Sequence, residues 1–158
     1  MKNTREQISV ALFNLLATNQ ALAALCKTIT RSPRIWTAVN DVEKPFLVLF
    51  KGGPDSEHFD QPQERRAGLT KYLLHYNLWL YVVADPSNQI NGETIANNIS
   101  DAIDTAMQTD SNKSSFGERQ TLGGLVTNTY LDGGSEWGRE FEDNNLVIFW
   151  RITVETGI

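Results

Sequence analysis

Residues 70–84 read TKYLLHYNLWLYVVA, and the alternation within that run decides the fold class. In an extended chain successive side chains point to opposite faces. Leu74, Tyr76, Leu78, Leu80 and Val82 therefore share one side, and His75, Asn77, Trp79, Tyr81 and Val83 share the other. The first set is expected to face the core, with His75 a partly exposed residue in mid-strand.

On the C-terminal side, Asp85-Pro86-Ser87-Asn88 breaks the strand, and a helix is expected from about Asn91 to Gln108. Its apolar stripe is Ile95, Ile99, Ala102, Ile103 and Ala106. A polar stretch over 109–119 follows, then an extended segment from Gln120 to Leu131, interrupted at Gly123-Gly124. A loop over about 132–143 leads into a last strand, Leu146 to Glu155, whose two apolar faces place it inside the sheet.

On the N-terminal side, residues 54–68, PDSEHFDQPQERRAG, are polar and aperiodic and read as a long connection. Before it lies a buried strand, Pro45 to Phe50, stopped by Gly52-Gly53-Pro54. A short extended piece, Lys27 to Arg31, ends at Ser32-Pro33. The chain opens with a helix over 4–25, where Thr4 and Gln7 match a capping box and Ile8, Leu12, Leu15, Leu16, Leu22 and Leu25 recur at helical spacing. Strands arriving in pairs imply antiparallel neighbours. The expectation is one α+β domain over 1–158, with a mostly antiparallel sheet of about four to five strands, two helices on one face, and polar loops near 53–68, 109–119 and 132–143.

Composition narrows the function classes. A formal net charge of -5 speaks against a surface that grips a polyanion, since that needs clustered Lys and Arg. The one basic pair, Arg65-Arg66, sits in the polar connection. The lone Cys26 has no intrachain partner and reads as a small buried side chain in a reducing compartment. MKNTREQ lacks the features of a signal peptide, and no apolar run approaches a membrane span, so no membrane association is expected.

No pattern of catalysis or cofactor binding emerges. Two histidines, His58 and His75, are too few for a recurrent metal motif. There is no G-x-S-x-G elbow, and the glycine pairs lack the Lys-Ser/Thr of a phosphate loop. Asp101 and Asp104 fall on the wet side of the second helix. The expectation is a protein without metal, cofactor or catalytic residues. What stands out is a set of aromatics in loop-like segments, Trp36, Phe59, Phe116, Trp137 and Phe141, each suited either to contact with a neighbouring subunit or to plugging its own loop.

Several stretches together resemble the tail terminator, or tail completion, proteins of long-tailed bacteriophages and prophages. They are Ala11-Leu12-Phe13-Asn14-Leu15-Leu16, Lys27-Thr28-Ile29-Thr30-Arg31, Trp36, Pro45-Phe46-Leu47-Val48-Leu49-Phe50 and Gln120-Thr121-Leu122-Gly123-Gly124-Leu125-Val126. The resemblance implies a hexameric ring that caps the tail tube, stops its growth and meets the head-completion or connector protein, in a particle assembled in the bacterial cytoplasm. A related alternative is another neck component, a head-closure protein; a small-molecule binding domain or enzyme is the third reading. Under the ring reading Trp36, Phe59, Arg65, Arg66, Trp137 and Phe141 are candidate interface residues. Asp55, Glu57, Asp60, Glu136, Glu140 and Glu142 are candidates to line a lumen through which DNA passes without specific binding.

Overall fold

A computed structural model of the chain describes residues 4–52, 56–59, 71–108, 119–133, 135–140 and 145–157. Its elements are helices Arg5–Ala17 (α1), Gln20–Leu25 (α2) and Gly92–Ala106 (α3), and strands Thr28–Thr30 (β1), Phe46–Phe50 (β2), Glu57–Phe59 (β3), Lys71–Val83 (β4), Asn128–Leu131 (β5), Glu136–Glu140 (β6) and Asn145–Gly157 (β7). The alternating strand is β4, and the strand apolar on both sides is β7. They pair antiparallel from Lys71 opposite Gly157 to Val83 opposite Asn145. The sheet runs β1-β2-β4-β7-β5, with β3 added to β4 and β6 to β7. The fold is α+β with a mostly antiparallel sheet, and β7 lies inside it as its composition requires.

The core face also follows the alternation. Leu74, Leu78, Leu80 and Val82 are fully buried and Tyr76 nearly so. They pack in one cluster with Leu47, Ile148, Ile152 and Val154 from the neighbouring strands and with Ile8, Leu12, Leu16, Leu22, Ile99 and Ile103 from the helices. Ala96, Ala102 and Ala106 of α3 are buried too, small side chains that let a helix lie close to its neighbours. Burying each large aliphatic side chain contributes roughly 1.5–3 kcal/mol.

The structure departs from the sequence reading at six places. The first helix is two, because Thr18 ends α1 and the Asn19 side chain accepts from Leu22 N at 3.1 Å, capping α2. Asn competes for backbone donors, which makes it a better cap than a helix interior residue. Residues 120–127 turn instead of extending. Leu122, Gly123 and Gly124 all have positive φ, 52°, 76° and 91°, and Gly124 N and Val126 N both donate to Thr121 O. The connection over 54–68 contains β3, and the loop over 132–143 contains β6, each a short strand on the margin of a long one. β1 runs parallel to β2 rather than antiparallel, residues 31–45 forming the long return that a parallel pair needs. Finally, His75 is buried, at 8% exposure.

Replacing Leu78 by Ala should cost about 2–5 kcal/mol in urea denaturation, as expected for a core cavity. Asn91, whose side chain accepts from Thr94 N at 2.8 Å and caps α3, should cost about 1 kcal/mol when changed to Ala.

Candidate assembly surface

The second face of the sheet carries Phe46 and Phe50 of β2, Trp79 and Tyr81 of β4, and Phe149 of β7. At one end Phe46 and Tyr81 stack with ring centroids 5.6 Å apart, packed with Val39, Val48 and Val147. Trp36, half-buried in a 3-10 turn over Trp36–Ala38, packs against this cluster. The Tyr81 hydroxyl donates to Arg34 O at 2.7 Å, the Arg34 guanidinium lies 4.9 Å from the Phe46 ring centre, and Arg34 pairs with Glu43 at 2.9 Å. Behind this seal, buried Lys44 donates to Asn145 Oδ1 at 2.7 Å and Asp41 Oδ1 at 3.0 Å.

Further along, the face is open. Phe50, Trp79 and Phe149 form a half-buried row of edge-to-face contacts, with centroids 4.8 Å apart for Phe50–Trp79 and 5.1 Å for Trp79–Phe149. On the connection that seals the other end, Ile35 and Val42 are 68% and 77% exposed. Large apolar side chains left wet on a sealed connection mark a contact surface more readily than a core defect.

Beyond the row, His75 lies opposite Thr153 on β7. The Thr153 hydroxyl donates to Asp132 Oδ2 at 3.0 Å and contacts His75 Nδ1 at 2.9 Å. A hydroxyl has one hydrogen, so the histidine must donate through Nδ1. This fixes the ring between β4, β7 and the turn after β5, and it gives a structural reason for the buried histidine.

The residues singled out from sequence do not come together in the described part of the chain. Trp36 plugs its own turn. Glu57 lies on β3, where its carboxylate accepts from Arg5 Nε at 2.8 Å and from Lys51 Nζ. Phe59 of β3 pairs in register with Tyr72, and Glu136, Trp137 and Glu140 of β6 pair with Phe149, Ile148 and Asn145; only the backbone of these four residues is described. Asp55, Asp60, Arg65, Arg66, Phe116, Phe141 and Glu142 lie outside the described residues. The row missed by sequence reasoning had one signal, Trp79 at the centre of the longest strand on the side opposite the core.

Burial opposes ionisation of Glu57, but hydrogen bonds from Lys51 and Arg5 overcome it and hold the carboxyl below its ordinary range. Hydrogen bonding from Arg31 does the same for Glu6, and from Arg34 and the Asn40 N–H for Glu43. Burial pushes the Cys26 thiol up to about 12. Among the described residues no group of three or more His, Cys, Asp or Glu side chains could hold a metal ion, and no described helix is long and apolar enough to cross a membrane.

No protein-family model matches the sequence, and no curated protein matches it. Among solved structures, the fold matches a chain of the virion of a native gene transfer agent particle, with a TM-score of 0.61 and 13% sequence identity, over 96% of this chain and 95% of that one. At that identity the likeness is one of fold.

The depressed carboxylates give a pH prediction. The unfolded chain takes up these protons near pH 4.5 and the folded chain only below it, so the ion pairs stabilise the fold above that range and are lost as pH falls through the folded values. Glu57→Gln should therefore flatten the acid limb of stability against pH, measured by urea midpoints between pH 3 and 6 (roughly the carboxylate range). Cys26 should react with a thiol reagent at pH 8 (about half a unit below a free thiol's pKa) far more slowly in the native than in the urea-unfolded protein.

Proposed function

We propose that the chain is a structural, non-catalytic protein of a phage-like particle and acts there as a tail terminator. In this reading six copies close into a ring at the neck of the particle, seat on the last ring of the tail tube, and turn their other side to the head-completion or connector protein. The observation that carries the reading is the fold likeness to a chain of a gene transfer agent virion over nearly the whole length of both chains. The sequence resemblance to tail terminators supports the finer role, and the open aromatic row with Ile35 and Val42 supplies surface for contacts between copies.

The physics of such a stop is simple. One side of the ring binds the tube, and the other lacks the tube's own polymerising surface, so growth has no further template. A chain of net charge -5 suits a conduit for DNA, because a negative lumen repels phosphates and lets the genome slide without specific binding. Asp55, Asp60, Glu136, Glu140 and Glu142 remain candidates for that lining, and Phe59, Arg65, Arg66, Trp137 and Phe141 for the subunit contacts. Glu57, held between two cations, would contribute less free negative potential than its neighbours.

Light scattering and negative-stain imaging should find rings, alone or once tail tube protein is added, and the chain should co-purify with tube protein when heads are missing. Co-purification with the head connector and not the tube would indicate a head-closure protein instead. The double variant Ile35→Asp with Val42→Asp should keep its fold, since both side chains are exposed, and weaken assembly about tenfold or more, the equivalent of roughly 1.4 kcal/mol. A strictly monomeric chain that never binds tube would overturn the reading.

A further inference from the structure

On an acidic chain, a cleft of about 340 Å³ between α1, the residues after β1 and the end of β2 is lined by three cations, Arg5, Arg31 and Lys51. Two carboxylates face them. Glu6 takes both terminal nitrogens of Arg31, at 2.7 and 3.2 Å, and Glu57 is shared by Arg5 and Lys51. Three positive and two negative groups leave the described cluster with an excess of one positive charge. Lys51 Nζ has three N–H bonds and directs one of them at Glu57.

The wall of the cleft supplies a further hydrogen-bonding group. Ser9 and Tyr76 both line it, at 7% and 1% exposure, and their hydroxyls share one hydrogen bond of 2.8 Å. Two hydroxyl hydrogens and one bond leave an O–H without an acceptor among the described residues. Because both groups line the cleft, that hydrogen can be donated to an acceptor bound there. The partner that also balances the charge is an oxygen carrying negative charge.

We propose that this cleft binds one small oxyanion, a carboxylate or phosphate group, held by Lys51 with its neighbouring arginines and by the unused hydroxyl hydrogen of the Ser9–Tyr76 pair. The anion can be free or displayed on a neighbouring polypeptide. The site does not depend on the ring reading, and its failure would leave that reading untouched.

The test is a ¹⁵N–¹H titration of the full chain with inorganic phosphate and, separately, with an end-blocked tripeptide carrying one glutamate, both at constant ionic strength balanced with chloride. Saturable shifts confined to the amides around Ser9, Lys51 and Tyr76 are expected. Tighter binding of phosphate would point to a free ion, and tighter binding of the peptide to a neighbour's side chain; either supports the site. Lys51→Gln and the double variant Ser9→Ala with Tyr76→Phe, which removes both hydroxyls, should each weaken binding about tenfold, as expected for loss of one hydrogen bond to a charged group. The double hydroxyl variant keeps the test decisive if Lys51→Gln disturbs Glu57. Absence of saturation with both probes, or an affinity in both variants unchanged from that of the wild type, would overturn the proposal.

Discussion

The register between β4 and β7 is the constraint on which everything else is built. Side chains alternate with a period of two, so a slip of one position would turn one strand over relative to its neighbour. For β4 that would push His75, Asn77 and Trp79 beneath the helices and leave Leu74, Leu78 and Leu80 on the wetter side. The aliphatic layer under α1, α2 and α3 is what forbids it. The other strands build outward from this pair: β2 and β3 on β4, β5 and β6 on β7, and β1 on β2.

The two faces solve different problems. The helix side is mainly aliphatic and closely packed, apart from the charged cleft beside α1. The other side is aromatic at one end, where Trp36 and Arg34 close it, and polar at the other, where the His75, Thr153 and Asp132 chain satisfies buried groups. Between them lies the open row of Phe50, Trp79 and Phe149. A particle component needs a rigid body and an adhesive surface. In the proposed role, the core would supply the rigid body, and the half-buried rings would contribute to the contact surface.

Much of this architecture can be read from residues. The alternation at 74–82 identified the core face correctly, and the unbroken apolar run at Leu146–Trp150 identified an interior strand. Both signals are strong because burial acts on many side chains in phase. Short edge strands escaped notice: Glu57–Phe59 and Glu136–Glu140 are polar, and only the long partner beside them makes them strands. The turn at Leu122–Gly124 looked extended because its flanking residues suit a strand, whereas the left-handed backbone of three successive residues decides otherwise. The burial of His75 could not be seen either, since it depends on Thr153 and Asp132, both far along the chain. For the site, sequence favoured aromatics between the elements. The structure displays its half-buried aromatic row within them, and the one loop tryptophan it describes, Trp36, folds back on its own protein.

The margins of the sheet carry a consequence for any crowded assembly. The outer strands are stubs: three residues each for β1 and β3, four for β5 and five for β6. Long bare margins invite endless strand addition and fibres, and short ones deny it a template. Under the tail-terminator proposal, a molecule that sticks to its neighbours and yet stops at a finite size is thereby steered away from backbone ladders. On that proposal its associations would fall to side chains on faces and connections, where geometry can close a circle.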